Sequence, residues 1–230
     1  MRTRLCLWLG LLAVLAATTG RAQMGGGPGW VSRPVTFKVQ WPTNAAQEQR
    51  YWFNNGIYHF QVFNDDGAFA AGNQTKPRTE QRFPDYTRGE IQYQSLEMAP
   101  SNETSYCIFQ IHIGNEQARK YGSTQFMLFW FSNDGGSVYD YSKHELASHL
   151  GNKWFQLNVD HDVDHHLIKI WINRQLVWTQ KCGNAGDFYF KDGVYEQSHY
   201  PSHQMDAYIT GIHLWTRSNT IIPRLASIRN

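Results

Sequence analysis

The chain has 230 residues, 21 of them basic and 19 acidic, for a formal net charge of +2. That length suits one large domain, and the charge supplies no basic stripe of the kind that binds nucleic acid. No segment beyond the N-terminus is apolar enough to span a membrane, and aromatic residues, at 15%, are plentiful enough to fill a core and line a sugar site as well.

The first 22 residues read as a secretory signal. Arg2 and Arg4 open it, Leu5 to Ala17 is an apolar run, and Gly20-Arg21-Ala22 offers a cleavage site before Gln23. The run is about 13 residues, short of the roughly 20 that a spanning helix needs. Without residues 1–22 the balance is 18 basic against 19 acidic, a charge of about −1. The expected organisation is a signal over 1–22, a Gly-rich linker over 23–34 and one domain over 35–230, exported to the extracellular space or periplasm, monomeric and without membrane or nucleic-acid partners.

From Val35 onward strands alternate with turns. Val35–Val39 alternates, and Ile57–Phe63 is β-branched and aromatic and ends at the turn signal Asn64-Asp65-Asp66-Gly67. Gly89–Met98 alternates polar and apolar positions. Ser123–Phe131 is nearly all apolar and reads as buried on both faces, closed by Asn133-Asp134-Gly135-Gly136. Trp154–Val159 and Leu167–Ile172 read as a hairpin, Gln175–Thr179 follows, and Tyr208–Thr216 is the last strand. Ala45–Arg50 and Lys143–Leu150 are the helix candidates. Many strands and few helices predict an all-β fold of two antiparallel sheets, a sandwich or jelly roll. In the exported chain Cys107 and Cys182 remain, with a disulfide and a free buried thiol at Cys107 both open. Asn73 and Asn102 head sequons that matter only in a eukaryotic source.

Three polar segments stand out on predicted strands: Arg78-Thr79-Glu80-Gln81-Arg82, Gln110-Ile111-His112, and Tyr189 through Gln197. Strand side chains alternate between faces. Arg78, Glu80 and Arg82 therefore share a face, as do Gln110 and His112, and Lys191, Tyr195 and Gln197. Each group alone has a structural reading, such as an ion-pair ladder for the first. Together they put cations, an amide, an imidazole and a phenol on one sheet surface.

These segments resemble the three signature strands of the alginate lyases of polysaccharide lyase family 7, which read R-[ST]-E-L-R, Q-[IV]-H and Y-F-K-A-G-x-Y-x-Q. Order and spacing match. Gln81 and Asp192 depart from the usual Leu and Ala, at positions whose parity faces away from the site. The resemblance implies a concanavalin-like β-jelly roll with a concave groove for an anionic polysaccharide. It implies β-elimination at a uronate, with alginate as the first substrate and glucuronan, ulvan or another uronan as alternatives; the isoleucine between Gln110 and His112 leans towards guluronate-containing blocks. Elimination takes the proton at C5 and breaks the C4–oxygen bond, so the site must neutralise the carboxylate and supply a base and an acid. Arg78 and Gln110 suit the carboxylate, His112 the base, and Tyr195 the acid, or both roles when the two groups lie on one side of the ring. Glu80, Arg82, Lys191 and Gln197 are the expected substrate binders. No metal or organic cofactor is required.

His161-Asp162-Val163-Asp164-His165-His166 looks like a metal cluster, but it falls where a hairpin turn belongs, and turns favour Asp. A non-catalytic carbohydrate-binding module would keep the polar face without needing His112 and Tyr195 together. A hydrolase would need two carboxylates flanking the bond, and no Glu-x-Asp-x-x-Glu or Glu-x-Asp-x-Glu run occurs.

Overall fold

A computed structural model describes residues 28–72, 74–114, 123–183, 186–197 and 200–217. The signal reading and the Asn73 sequon lie outside these residues, whereas Asn102 is exposed in a turn. Among the described residues fifteen strands follow in chain order. They are β1 (Trp30–Arg33), β2 (Lys38–Gln40), β3 (Tyr51–Asn54), β4 (Ile57–Phe63) and β5 (Arg78–Arg82). Then come β6 (Glu90–Met98), β7 (Tyr106–Ile113), β8 (Thr124–Phe131), β9 (Ser137–Tyr139) and β10 (Glu145–Ala147). The last five are β11 (Phe155–Asp162), β12 (Leu167–Ile172), β13 (Gln175–Lys181), β14 (Phe188–Glu196) and β15 (Gln204–Arg217).

The strands form two antiparallel sheets of a β-jelly roll. The first sheet runs β13-β12-β11-β6-β15-β4-β3, with β1 also paired to β15, and the second runs β10-β9-β8-β7-β14-β5-β2. Their facing sides meet in one core. Phe60, Tyr93, Phe155, Leu157 and Val159 come from the first sheet, and Phe109, Ile111, Phe126, Leu128, Trp130 and Phe190 from the second. Sheets packed this way interdigitate the inward half of each alternating strand.

Three local readings change, and one left open is decided. Trp30–Arg33, inside the stretch read as linker, is a strand because the register Trp30↔Arg217 to Arg33↔Leu214 holds it along β15. Lys143–Leu150 contains the strand β10, recruited as the edge partner of β9, rather than a helix. Gln47–Gln49, inside the other helix candidate, is a single 3-10 turn. Cys107 and Cys182 are both free thiols: Cys182 lies beyond β13 with its sulfur 3.4 Å from His161 Nε2, while Cys107 belongs to the other sheet.

The hairpin reading of residues 161–166 holds, since β11 and β12 pair from Leu157↔Ile172 to Asp162↔Leu167. His161 itself points inward, fully buried, with Nδ1 2.8 Å from the Tyr86 hydroxyl, and burial holds its pKa down to about 3.

Candidate active site

β5, β14 and β7 are neighbours in the second sheet, so the three polar segments lie side by side. Registers Lys191↔Arg82 and Tyr195↔Arg78 join β14 to β5, and Tyr189↔His112 and Lys191↔Gln110 join it to β7. Thr79, Gln81, Phe109, Ile111, Phe190 and Val194 turn inward. Arg78, Glu80, Arg82, Gln110, His112, Tyr189, Lys191 and Tyr195 occupy the opposite, open face.

The two departures from the family pattern face the interior. Gln81 donates to the Tyr51 hydroxyl at 3.1 Å. Asp192 accepts from the Tyr93 hydroxyl at 2.5 Å, and burial raises its carboxyl well above the usual carboxylate range. Neither touches the open face.

Glu80 organises the floor. Its carboxylate accepts from Lys191 Nζ at 2.9 Å, from Arg78 Nη1 at 3.2 Å and from the Gln110 amide nitrogen. Glu80 reaches Gln110 across β14, where its register partner is Gly193. Burial alone would raise the Glu80 pKa, but Lys191 and Arg78 outweigh it and hold the group below the ordinary value. Glu80 is 2% exposed and Lys191 1%, so both sit beneath the surface rather than on it. Burial lowers Lys191 to about 8 against the pull of Glu80.

Arg78 is clamped by rings. Its guanidinium lies 3.8 Å from the centroid of Tyr195 and 4.9 Å from that of Phe69, a residue of the loop before β5. Its Nε is buried and has no hydrogen-bond partner, which leaves a cationic donor unsatisfied in a desolvated place. Burial raises the Tyr195 phenol above its ordinary pKa, and Arg78 pulls it back in part. The proton therefore stays on the phenol near neutral pH.

His112 is the second candidate for proton transfer. Its Nδ1 lies 2.8 Å from the Ile113 carbonyl oxygen, which can only accept, so Nδ1 carries the proton and Nε2 the free lone pair. Burial, with Lys191 next, lowers its pKa to about 4 and keeps the ring neutral at pH 7. Its ring stacks on Tyr189 at 4.8 Å, and the Arg82 guanidinium lies 3.9 Å from the same Tyr189 ring. Arg82 also pairs with Asp85 at 2.5 Å. Gln197 folds back on the carbonyls of Tyr195 and Glu196 at 3.2 and 3.1 Å, away from the other seven.

Three participants had no sequence assignment. Tyr189 was detectable, since it shares the parity of Lys191 and Tyr195. Phe69 comes from a loop with no periodic signal. Strict alternation along β7 would put Cys107 on the inward face with Phe109 and Ile111. Against β8, β7 carries one extra residue, Ile108, and the bulge turns the Cys107 sulfur to the open face with Met127, Phe129 and Tyr195; against β14 the extra residue lies on β14, between Asp192 and Tyr195.

Beyond Arg82, at the β5–β2 edge, a cavity of about 400 Å³ is lined by Lys38, Gln40, Trp41, Thr43, Phe69 and Arg82. Among the described residues no group of three or more His, Cys, Asp and Glu is placed to hold a metal, and no helix is long and apolar enough to cross a membrane.

Comparison with known proteins agrees with this fold. A curated citrate-binding protein from Hevea brasiliensis is 27% identical over 198 residues, which is 84% of this chain and 80% of that one. A solved alginate lyase from Corynebacterium sp. aligns with a TM-score of 0.61 at 17% identity, covering 77% of this chain and 92% of its own. Another, from Pseudomonas aeruginosa, gives 0.62 at 14% identity, covering 78% and 97%. At these identities the structures show a common fold. The family profile described as alginate lyase matches residues 32–216, from within β1 to within β15. With both sheets and all three signature strands inside that match, the chain belongs to the alginate lyase family and is a polysaccharide lyase.

Proposed function

We propose that the protein is a secreted lyase that cleaves a uronic-acid polysaccharide by β-elimination and leaves a 4,5-unsaturated uronate end. The observation that carries this reading is the pairing of a neutral imidazole and a protonated phenol around a buried cationic floor. Gln110 and Lys191 occupy the row between His112 and Tyr195. A uronate seated over that row has the base on one side and the acid on the other.

The steps follow from the groups present. The uronate carboxylate is neutralised by the Arg78 guanidinium and the Gln110 amide, which lie just beneath the open face. These donors strengthen their hold as the C5 proton leaves and charge builds on the carboxylate, which lowers the barrier. His112 Nε2 accepts the C5 proton. The electron pair forms the C4–C5 double bond, and the glycosidic oxygen leaves with the phenolic proton of Tyr195. Glu80 faces no substrate: it fixes Arg78, Lys191 and Gln110 in place. Arg82 and Lys38 suit neighbouring carboxylates along the chain.

Tyr195→Phe removes the acid and keeps the ring beneath Arg78. Turnover, followed by the ultraviolet absorbance of the unsaturated product on polyguluronate, polymannuronate, glucuronan and ulvan, should fall by at least about 10²-fold with the fold intact. A variant retaining more than about a tenth of wild-type kcat would remove Tyr195 from the acid role.

Binding of a small polycarboxylate without turnover is a second reading. The name of the Hevea relative favours it, and the cationic floor would suit such an anion. That reading needs neither the free lone pair of His112 nor the phenol. Citrate binding measured by calorimetry, with no unsaturated product from any polymer, would select it.

A further inference from the structure

The open face is chemically asymmetric about Tyr195. On the β5–β2 side it carries Arg78, Arg82 and Lys38. On the other side the row continues from Tyr195 through Cys107 to Phe129 and Tyr139. There it is aromatic. Phe129 lies 6.4 Å from Phe131 and 6.1 Å from Tyr141, and Phe131 meets Tyr139 edge-on at 5.2 Å. Tyr141 is 50% exposed, while Phe129 forms the buried floor. The charge joined to this set is negative: Tyr139 donates its hydroxyl proton to Glu145 at 2.9 Å.

We propose that this aromatic platform is a sugar subsite for an uncharged pyranose, so that the preferred substrate is a heteropolysaccharide in which the uronate cleaved at Tyr195 is linked to a neutral sugar. The proposal rests on the lyase reading and deepens it. The platform is continuous with the reacting row, so a chain crossing the strands at Tyr195 must lie on it. A neutral pyranose presents C–H faces that pack on aromatic rings. A uronate in the same place would bring its carboxylate towards that of Glu145. A homouronan carries a carboxylate on every sugar, so it would bring an uncompensated charge to this subsite. The charge of about −1 over residues 23–230 also gives no long-range field to gather a dense polyanion.

The test compares kcat/KM on gellan and hyaluronan, where glucuronate neighbours are uncharged sugars, with kcat/KM on polymannuronate, polyguluronate and glucuronan. Wild type, Tyr141→Ala and Tyr141→Lys are assayed, with melting temperatures to confirm folding; the half-exposed position of Tyr141 makes unfolding an unimportant risk. Wild type should prefer its best heteropolymer over its best homouronan by about tenfold, losing roughly five- to tenfold of that ratio in Tyr141→Ala, the worth of one ring contact. Tyr141→Lys should lower the ratio further by favouring the charged polymers. A wild type that cuts homouronans best, with a ratio unmoved in both variants, overturns the platform and leaves the lyase reading standing. A folded wild type that produces no unsaturated ends from any polymer overturns both.

Discussion

Glu80 shows how one side chain sets the electrostatics of the site. Its carboxylate is buried and receives Lys191, Arg78 and Gln110 together. Glu80→Gln keeps the shape and removes the charge. Two cations then share a desolvated floor without an anion, and breaking such a pair costs about 3–5 kcal/mol. Lys191 already sits at about 8 because it is buried, and Glu80 is what holds it that high. In Glu80→Gln it should deprotonate at lower pH. The expected outcome is a large fall in kcat with the alkaline limb of the pH–rate profile moved down by more than about one unit. A profile that keeps its wild-type alkaline limb would show that Lys191 does not depend on Glu80. The importance of Glu80 was legible in the sequence, from its parity with Arg78 and Arg82. Its burial was not, because burial depends on Lys191 and Gln110 arriving from two other strands.

At the scale of the strand, β14 carries both the chemistry and its geometric constraint. Lys191 and Tyr195 flank Gly193, which has φ +123°. A Cβ there would lie 2.4 Å from the Thr79 carbonyl oxygen and 2.9 Å from the Phe60 ring. Gly193→Ala should therefore push β14 away from β5, with a stability loss of about 2–4 kcal/mol and a loss of activity through displacement of Lys191 and Tyr195. Gly56→Ala is the control, since Gly56 has φ +80° but no atom within 4 Å of the added carbon. If the two variants melt together and both remain active, the close approach at Gly193 is not a constraint. Strands with their own alternation, such as Ile57–Phe63, Glu90–Met98 and Leu167–Ile172, were readable locally. Trp30–Arg33, Tyr51–Asn54 and Ser137–Tyr139 were not. They are three or four residues long and owe their extended form to partners that, for Trp30, lie at the far end of the chain. The bulge at Cys107 escaped for a related reason. One inserted residue reverses every parity beyond it, and no residue type in Tyr106–Phe109 announces the insertion.

Across the whole molecule, the two sheets enclose ionisable groups that must stay neutral. Burial raises Glu97 to about 8, with Ser95 donating to its carboxyl at 2.9 Å, and burial lowers His161 to about 3. The two act in opposite directions. For Glu97 the unfolded chain ionises above its ordinary value near 4.5 while the folded chain does not. Its contribution to stability is thus complete below that value and is lost as pH rises towards 8, at about 1.4 kcal/mol per unit. For His161 the unfolded chain takes up a proton below about 6.5 that the folded chain refuses until about 3, so its contribution is complete above 6.5 and lost on acidification. Between about pH 4.5 and 6.5 these two contributions offset each other, and each declines alone outside that window; Asp160 and Asp192, also raised by burial, add to the loss on the alkaline side. Glu97→Gln separates the limbs, because the amide oxygen still accepts from Ser95 and there is no proton left to lose. Melting temperature against pH should then change little near pH 5 and fall less steeply above it, with about 3 kcal/mol recovered by pH 7. A variant whose curve runs parallel to wild type from pH 5 to 8 would mean that Glu97 is already ionised in the folded protein, and that the space between the sheets holds a charge rather than a neutral acid.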